Sequence, residues 1–251
     1  ERNMKIVVPL KQVPDLVEDL EVDATGKALD AEEVKLKLNE FDDQALEEAL
    51  LLKESGAADE VVAMAFDGED VDKMLFTAIA KGANKAIKLN GSSPTDIHQL
   101  AKAFANAVAT EGFDLVMAGV QSADGRDGHL GPIMAEYLSV PCISVVAGVS
   151  VSGGQATVQK EYSGGMLGEF EVDLPAVLGI QAAAQAPRYA PVSKVRQIQQ
   201  TETIQEMDAG DLGAGAGSAI SSMAAPEKGL GAKMLDDVEA LMAVLKDKGV
   251  A

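Results

Sequence analysis

The sequence predicts an α/β fold: a mostly parallel sheet with helices on both faces, an antiparallel meander added to it, and an extended C-terminal arm ending in a helix. Three observations carry this. Short β-branched apolar runs alternate with segments of helical spacing from the start to about residue 146, as in strand–helix–strand units. Beyond that point, short alternating stretches are separated by "SGG" at Ser152 and again at Ser163, as in hairpins. From about Asp208 the chain turns to Gly, Ala and Ser, which is linker chemistry.

"MKIVVPL" (Met4 to Leu10) reads as the first strand, and "LEVDATGKALD" as a small hairpin around Thr25-Gly26. In "NEFDDQALEEALLLKESG", Ala45, Leu46, Ala49 and Leu50 recur at helical spacing. Acids crowd its first turn and Gly56 is its C-cap. "DEVVAMAF", "NKAIKL", "FDLVMAGV" and "VPCISVV" are further strands. "GEDVDKMLFTAIAKG", ending at Gly82, "PTDIHQLAKAFANAVATEG" and "IMAEYL" are further helices. The meander covers "GVSVSGGQATVQKEYSGGMLGEFEVDLPAVLGIQ". In the tail, Leu235, Val238, Leu241, Met242 and Leu245 restore helical spacing. A helix on a loose tether buries its apolar stripe against this domain or another chain. The expected division is an α/β domain of nucleotide-binding type, 1–207, and an arm with its helix, 208–251.

The 251 residues are 47% hydrophobic but only 4% aromatic, without Trp, so aliphatic side chains and Met must fill the core. Lys and Arg number 21 against 40 Asp and Glu, a net charge of 21 − 40 = −19. That balance argues against nonspecific nucleic-acid or anionic-membrane binding. It fits either solubility or steering toward a basic partner. A lone cysteine, Cys142, makes no internal disulfide or metal cluster and reads as a core residue. His98 and His129 are too far apart for a metal-binding pair. No apolar run is long enough to span a membrane, and no long apolar stretch opens the chain. A cytoplasmic protein, not embedded in a membrane, is expected.

Signatures of catalysis are missing: no nucleophile elbow, CxxC, P-loop or GxGxxG after the first strand. Paired acids such as Asp42-Asp43, Glu47-Glu48 and Asp236-Asp237 fall on predicted helices and read as solvated first-turn or surface charges. The sheet itself implies a site, because ligands of open parallel sheets sit at the carboxyl ends of the strands. Those ends are Pro9-Leu10-Lys11, Phe66-Asp67-Gly68 and the stretch from Gly119 to Gly131. In "SADGRDGHLGP", three glycines lie between a strand and a helix. Backbone amides there are able to hold phosphate without a basic side chain. Spacing alone leaves a tight turn and a phosphate cradle both open.

Several segments together resemble the β subunit of electron transfer flavoproteins. They are "MKIVVPLKQVPD", "LNEFDDQALEEALLLKE", "AGVQSADGRDGHLGPIMAEYLSVP", and "GGMLGEFEVDLPAVLGIQ" followed by "PRYAPVSKV". "PEKG" in the tail recurs in some members. Order and spacing hold across almost the whole chain. The resemblance implies an adenine nucleotide α-hydrolase-like sheet and a heterodimer with an α subunit that holds most of the redox FAD. The pair carries electrons from flavin dehydrogenases to a quinone reductase or similar acceptor. The β subunit is then a scaffold that is not catalytic alone.

The resemblance also implies an AMP without a redox role in the β subunit. Electron-bifurcating relatives hold a second FAD there, and an empty site is a third alternative. Carried onto this chain, the adenine end involves the backbone at Pro9, Asn39 and Phe66. Gly119 and Gln121 lead into the phosphate end, which runs through Asp124, Gly125, Arg126, Gly128, His129, Leu130 and Gly131. Leu130 removes a hydroxyl donor that many members have, and Asp127 adds a charge that repels phosphate if it points inward. His129 replaces one donor and Arg126 offsets one charge. Leu16 falls near the partner flavin. Arg188, Tyr189 and Val192 form the docking segment for the dehydrogenase, with Pro191 stiffening it. The reading held against all this is a free-standing adenine-nucleotide-binding module on the same kind of sheet.

Overall fold

A computed structural model describes residues 3–215, 217, 219–227, 229 and 231–250. In chain order its elements are β1 (Lys5–Leu10), β2 (Gln12–Pro14), β3 (Leu36–Leu38), α1 (Glu40–Glu54), β4 (Glu60–Phe66), α2 (Val71–Lys81), β5 (Lys85–Asn90), α3 (Ile97–Glu111) and β6 (Leu115–Gly119). There follow α4 (Leu130–Leu138), β7 (Cys142–Ser152), β8 (Gln155–Tyr162), β9 (Met166–Asp173), β10 (Ala176–Ile180), α5 (Val192–Thr201), β11 (Gln205–Asp208) and α6 (Val238–Asp247).

Among the described residues, nine strands form one sheet in the order β11-β5-β4-β1-β6-β10-β7-β8-β9. All pairings from β11 to β7 are parallel, and β7-β8-β9 are antiparallel. This is the α/β architecture with its meander that the sequence predicts. The central strands are apolar on both faces because helices cover both. Ile6, Val8, Leu115, Met117 and Leu178 pack with Leu46 and Leu50 of α1 and Leu75 of α2. Val7, Val62, Val116 and Val177 pack with Phe104 of α3 and Met134 of α4. Such double burial produces the unbroken Val/Ile/Leu runs of the parallel strands.

Helix boundaries follow local chemistry. Asp96 caps α3 by accepting from Gln99 N at 3.0 Å, and Asp237 caps α6 by accepting from Ala240 N at 2.8 Å. The helix α2 ends at Gly82, whose φ of 136° favours glycine. For α1 the cap is Ser55, and Gly56, at φ 79°, is the left-handed residue just after it. The predicted hairpin at Thr25-Gly26 is present as an isolated bridge, Val22 to Leu29.

Three features differ from the local reading. The strand β10, written in the sequence as the end of the meander, is a buried parallel strand between β6 and β7. The strand β7 runs far beyond "VPCISVV" and turns a corner at Val145, whose φ is 66°. A register shift in its pairing with β10 marks the corner as a β-bulge. The β8–β9 pairing extends one step past the strand ends, where Leu174 N donates to Gly154 O at 3.0 Å. Finally, α5 and β11 follow the meander, with β11 adding a parallel edge beside β5. Cys142 opens β7 half-buried.

The stretch after β11 begins against the domain. Ala209 and Leu212 are buried on the α3 side, and Asn106 Nδ2 donates to Ala209 O at 3.0 Å. The apolar stripe of α6 is largely uncovered: Val238, Leu241 and Met242 are all exposed. Of the predicted tail, residues 216, 218, 228, 230 and 251 lie outside the described residues. No described helix is long and apolar enough to cross a membrane.

Candidate functional site

The first helix is placed by its polar residues. Asn39 precedes it and is 1% exposed. Its backbone N donates to Lys11 O at 2.9 Å, its Nδ2 to Gln121 O at 2.9 Å and to Asp42 Oδ1 at 3.0 Å. Asp42, 2% exposed, accepts from Lys11 N at 2.8 Å through Oδ2 and also bonds to the Gly119 amide. The carboxyl ends of β1 and β6 are thus tied to one helix start. Burial pushes the Asp42 carboxyl up to about 7, against the pull of Asn39, the Lys11 amide and charge, and the Gly119 amide. Gly119 is required for the close approach. A Cβ there would lie 2.2 Å from Asp42 Oδ1 and 2.7 Å from Asp42 N.

A cleft opens above this junction, at the carboxyl ends of the strands. Lys11, Asn39, Asp42, Gly119, Gln121 and Ser122 line one part; Ile97, Asp127, Gly128, His129 and Leu130 line the other. Lys11 is its cation, and it is already engaged: Nζ lies 2.8 Å from both Asp124 oxygens and 3.2 Å from Ser122 Oγ. Burial works against the Asp124 charge, but Lys11 and the Ser122 hydroxyl outweigh it and hold this carboxyl below the usual range. Asp127 Oδ1 accepts from His129 N, at the start of α4, at 3.1 Å. His129 Nδ1 is 3.9 Å from Asp127 Oδ2, and its ring is mostly exposed.

Of the residues the sequence singles out, the structure brings Asn39, Gly119, Gln121, Gly128, His129 and Leu130 to the cleft. Leu130 is the first residue of α4 and packs against the α3-side core. Gly131 is buried within α4. Asp124, Gly125 and Arg126 form the exposed outer turn, with Arg126 N donating to Ser122 O at 2.9 Å. Pro9 is buried in β1 opposite Met64, and Phe66 ends β4 on the α3 side; neither lines the cleft. Lys11, Asp42, Ile97, Ser122 and Asp127 line it without having been singled out as ligands. The motif Asn-x-Phe-Asp at the helix entry is the signal that points to Asp42.

The cleft's residues suit the two ends of a nucleotide differently. Ile97 and Leu130 offer apolar surface, which suits a nucleoside, while the Gln121 carbonyl and the Gly119 amide already meet Asn39 and Asp42. At the α4 start, a carboxylate of the chain itself already meets the helix amide.

The segment 181–191 is a second candidate surface. The sequence reading of Glu47 and Glu48 as solvated charges is overturned, as it is for Asp42: both are 3% exposed. They are buried because they hold this segment. Gln44 Oε1 accepts from Ala183 N at 2.9 Å, Glu48 Oε2 from Ala184 N at 2.8 Å and Glu47 Oε2 from Arg188 N at 3.0 Å. Arg188 turns inward and adds side-chain bonds to both oxygens of Glu47, the closest at 2.8 Å from Nη2, and to Glu54. Burial opposes the Glu47 charge, but Arg188 outweighs it and holds that carboxyl low. Glu48, which meets amides rather than a cation, is pushed up by burial. With Arg188 pinned and Ala190 buried, Tyr189 and Val192 point outward, 78% and 59% exposed. Pro191 precedes α5, and Val192 is its first residue. Leu16, beyond β2, is likewise 58% exposed.

A family model described as the electron transfer flavoprotein domain matches residues 27–212. The chain is 36% identical over 239 residues to the electron transfer flavoprotein subunit beta of Methylophilus methylotrophus, covering 90% of each chain. It is 33% identical over 249 residues to the protein of the same name from Mycobacterium tuberculosis, covering 93% of each. The protein of that name from Syntrophomonas wolfei is 35% identical over 187 residues, covering 74% of this chain and 73% of that one.

Proposed function

The chain belongs to the electron transfer flavoprotein family as a beta subunit, and from that premise we propose that it is the non-catalytic half of a soluble, cytoplasmic electron carrier. Its partner is an alpha subunit that holds most of the redox FAD. When bound to the pair, the flavin supplies the redox chemistry. This chain supplies a binding face for donors and a nucleotide cleft that shapes the fold. Electrons pass from flavin dehydrogenases to a quinone reductase or similar acceptor.

The observation that carries this reading is the stapled 181–191 segment. Three side chains of α1 fix its backbone, so Tyr189 and Val192 are presented without ordering a loose loop at encounter. Preorganised apolar side chains of this kind suit repeated, short-lived docking. The domain 1–207 is the scaffold for that face. The arm beyond the stretch buried against α3, with its helix, packs on the alpha subunit, which covers the exposed stripe of α6. Leu16 faces the partner flavin. The cleft takes an adenine nucleotide of the AMP class, its nucleoside held among Asn39, Gln121, Ile97 and Leu130.

Co-expression with the alpha subunit, followed by denaturation and chromatographic counting of cofactors, tests the reading. One FAD per heterodimer, with one adenine ligand, AMP or its nucleoside, in the beta cleft, is the expected result. Two FAD per pair would make it a bifurcating flavoprotein. Failure to form a yellow heterodimer would remove the carrier function and leave a lone nucleotide-binding module.

A further inference from the structure

The loop beside the cleft brings its own anions to the places where a phosphate would seek partners. Phosphate monoesters are held by helix-terminal amides and by ammonium groups. Here the His129 amide at the start of α4 is met by Asp127 Oδ1 at 3.1 Å. The cleft's lysine, Lys11, is met by both oxygens of Asp124 at 2.8 Å. Asp127 and Asp42 also line the cleft, so with Asp124 one lysine faces three acids before any ligand arrives. A phosphate monoester adds about two negative charges at neutral pH. Arg126 is on the exposed outer turn rather than among the lining residues.

We propose that Asp127 sets the ligand class of the cleft: its carboxylate stands where a phosphate would, so the cleft favours the uncharged adenine nucleoside over the nucleoside monophosphate. This rests on the reading of the cleft as an adenine-nucleotide site. Apolar Ile97 and Leu130 contact the nucleoside, and no charge opposes it. The monophosphate must displace Asp127 from the α4 start or sit beside it, where like charges repel.

Asparagine at position 127 keeps an oxygen able to accept from the His129 amide while removing the charge. The experiment is equilibrium dialysis of nucleotide-stripped heterodimer against AMP and against adenosine, with wild type, Asp127→Asn and Asp127→Ser. Wild type is expected to bind adenosine at least as tightly as AMP. Both variants should tighten AMP about tenfold, equivalent to about 1.4 kcal/mol, and leave adenosine unchanged. The serine variant guards against a structural peculiarity of asparagine, and thermal melts confirm that each variant is folded. AMP binding to wild type more tightly than adenosine overturns the proposal, as does an AMP-to-adenosine ratio that neither variant moves. Binding of neither ligand to any of the three proteins would instead overturn the nucleotide reading of the cleft, and the proposal would fall with it.

Discussion

Two segments leave the carboxyl ends of neighbouring buried strands and are held by opposite means. The loop after β6 is held by acids of its own: Asp124 on Lys11 and Asp127 on the His129 amide. The segment after β10 is held by acids of a helix: Glu47 and Glu48 of α1 grip Arg188 and the amides of Ala184 and Arg188. In the first case the loop occupies donors that a ligand would use. In the second the loop's outward side chains stay free because its inward groups are satisfied from behind. Carboxylates of the same kind therefore limit binding in one place and build a presentation surface in the other.

The helix-held segment should break most severely. Arg188→Ala leaves the buried Glu47 without its hydrogen-bonded cation, with only the more distant charge of Lys81, a change expected to cost about 3 kcal/mol. Urea unfolding should show it as a lower midpoint at unchanged slope. Arg188→Lys should recover only part of the loss, since a single ammonium cannot match the forked contact with two carboxylates. Equal stability of wild type and Arg188→Ala would mean that the staple contributes nothing.

At the other segment's root, Gly119→Ala forces a Cβ against Asp42. The expected loss is about 2–3 kcal/mol, because main chain must move to accommodate it. Differential scanning calorimetry should report a melting point lower by roughly 5–10 °C. An unshifted melting point would show that the α1 start is free to move away from β6.

Asp42 sharpens the comparison through pH. Its folded-state value, about 7, lies above its value in the unfolded chain. The folded protein therefore holds the extra proton between the two, and this group's contribution to stability falls as pH rises from about 4 to about 7. In Asp42→Asn that dependence is gone. The unfolding free energy of the variant relative to wild type should rise across the same window. Parallel pH profiles would contradict a buried, proton-holding Asp42.

The smallest effect on stability belongs to the presented side chains. Val192→Ala and Tyr189→Ala should each weaken dehydrogenase binding about tenfold, measured by surface plasmon resonance. Their unfolding midpoints should change by no more than about 0.5 kcal/mol in free energy. Undiminished binding by both would move the docking face elsewhere.

Much of the fold is legible because the strand–helix alternation through β7 is a local pattern. The glycine-rich stretch from Gly119 to Gly131 is legible as a site for a related reason: it follows a strand and precedes a helix. What was not legible is non-local. "AVLGI" is a five-residue apolar run whether it ends a meander or enters the middle of a parallel sheet. Only its pairing with β6 on one side and β7 on the other decides. The carboxylates of α1 look like solvent charges until a loop more than a hundred residues later supplies their partners. A signal was present in spacing: Gln44, Glu47 and Glu48 share one helical stripe. Lys11 is marked only by its place at the carboxyl end of β1, and Ile97 reaches the cleft from α3 with nothing local to mark it.

The placement of β10 also governs the order in which the molecule is assembled. The edges of β6 and of the β7–β8–β9 unit face each other across a slot that only residues 176–180 fill. Until those residues emerge during synthesis, the nascent chain carries two unpaired strand edges flanked by bare aliphatic side chains, the exposure that promotes association between chains. A chain halted before residue 176 should sediment as aggregate, whereas one halted after residue 215 should stay in the supernatant. Closure of the sheet is thus a long-range event that waits for residues 176–180.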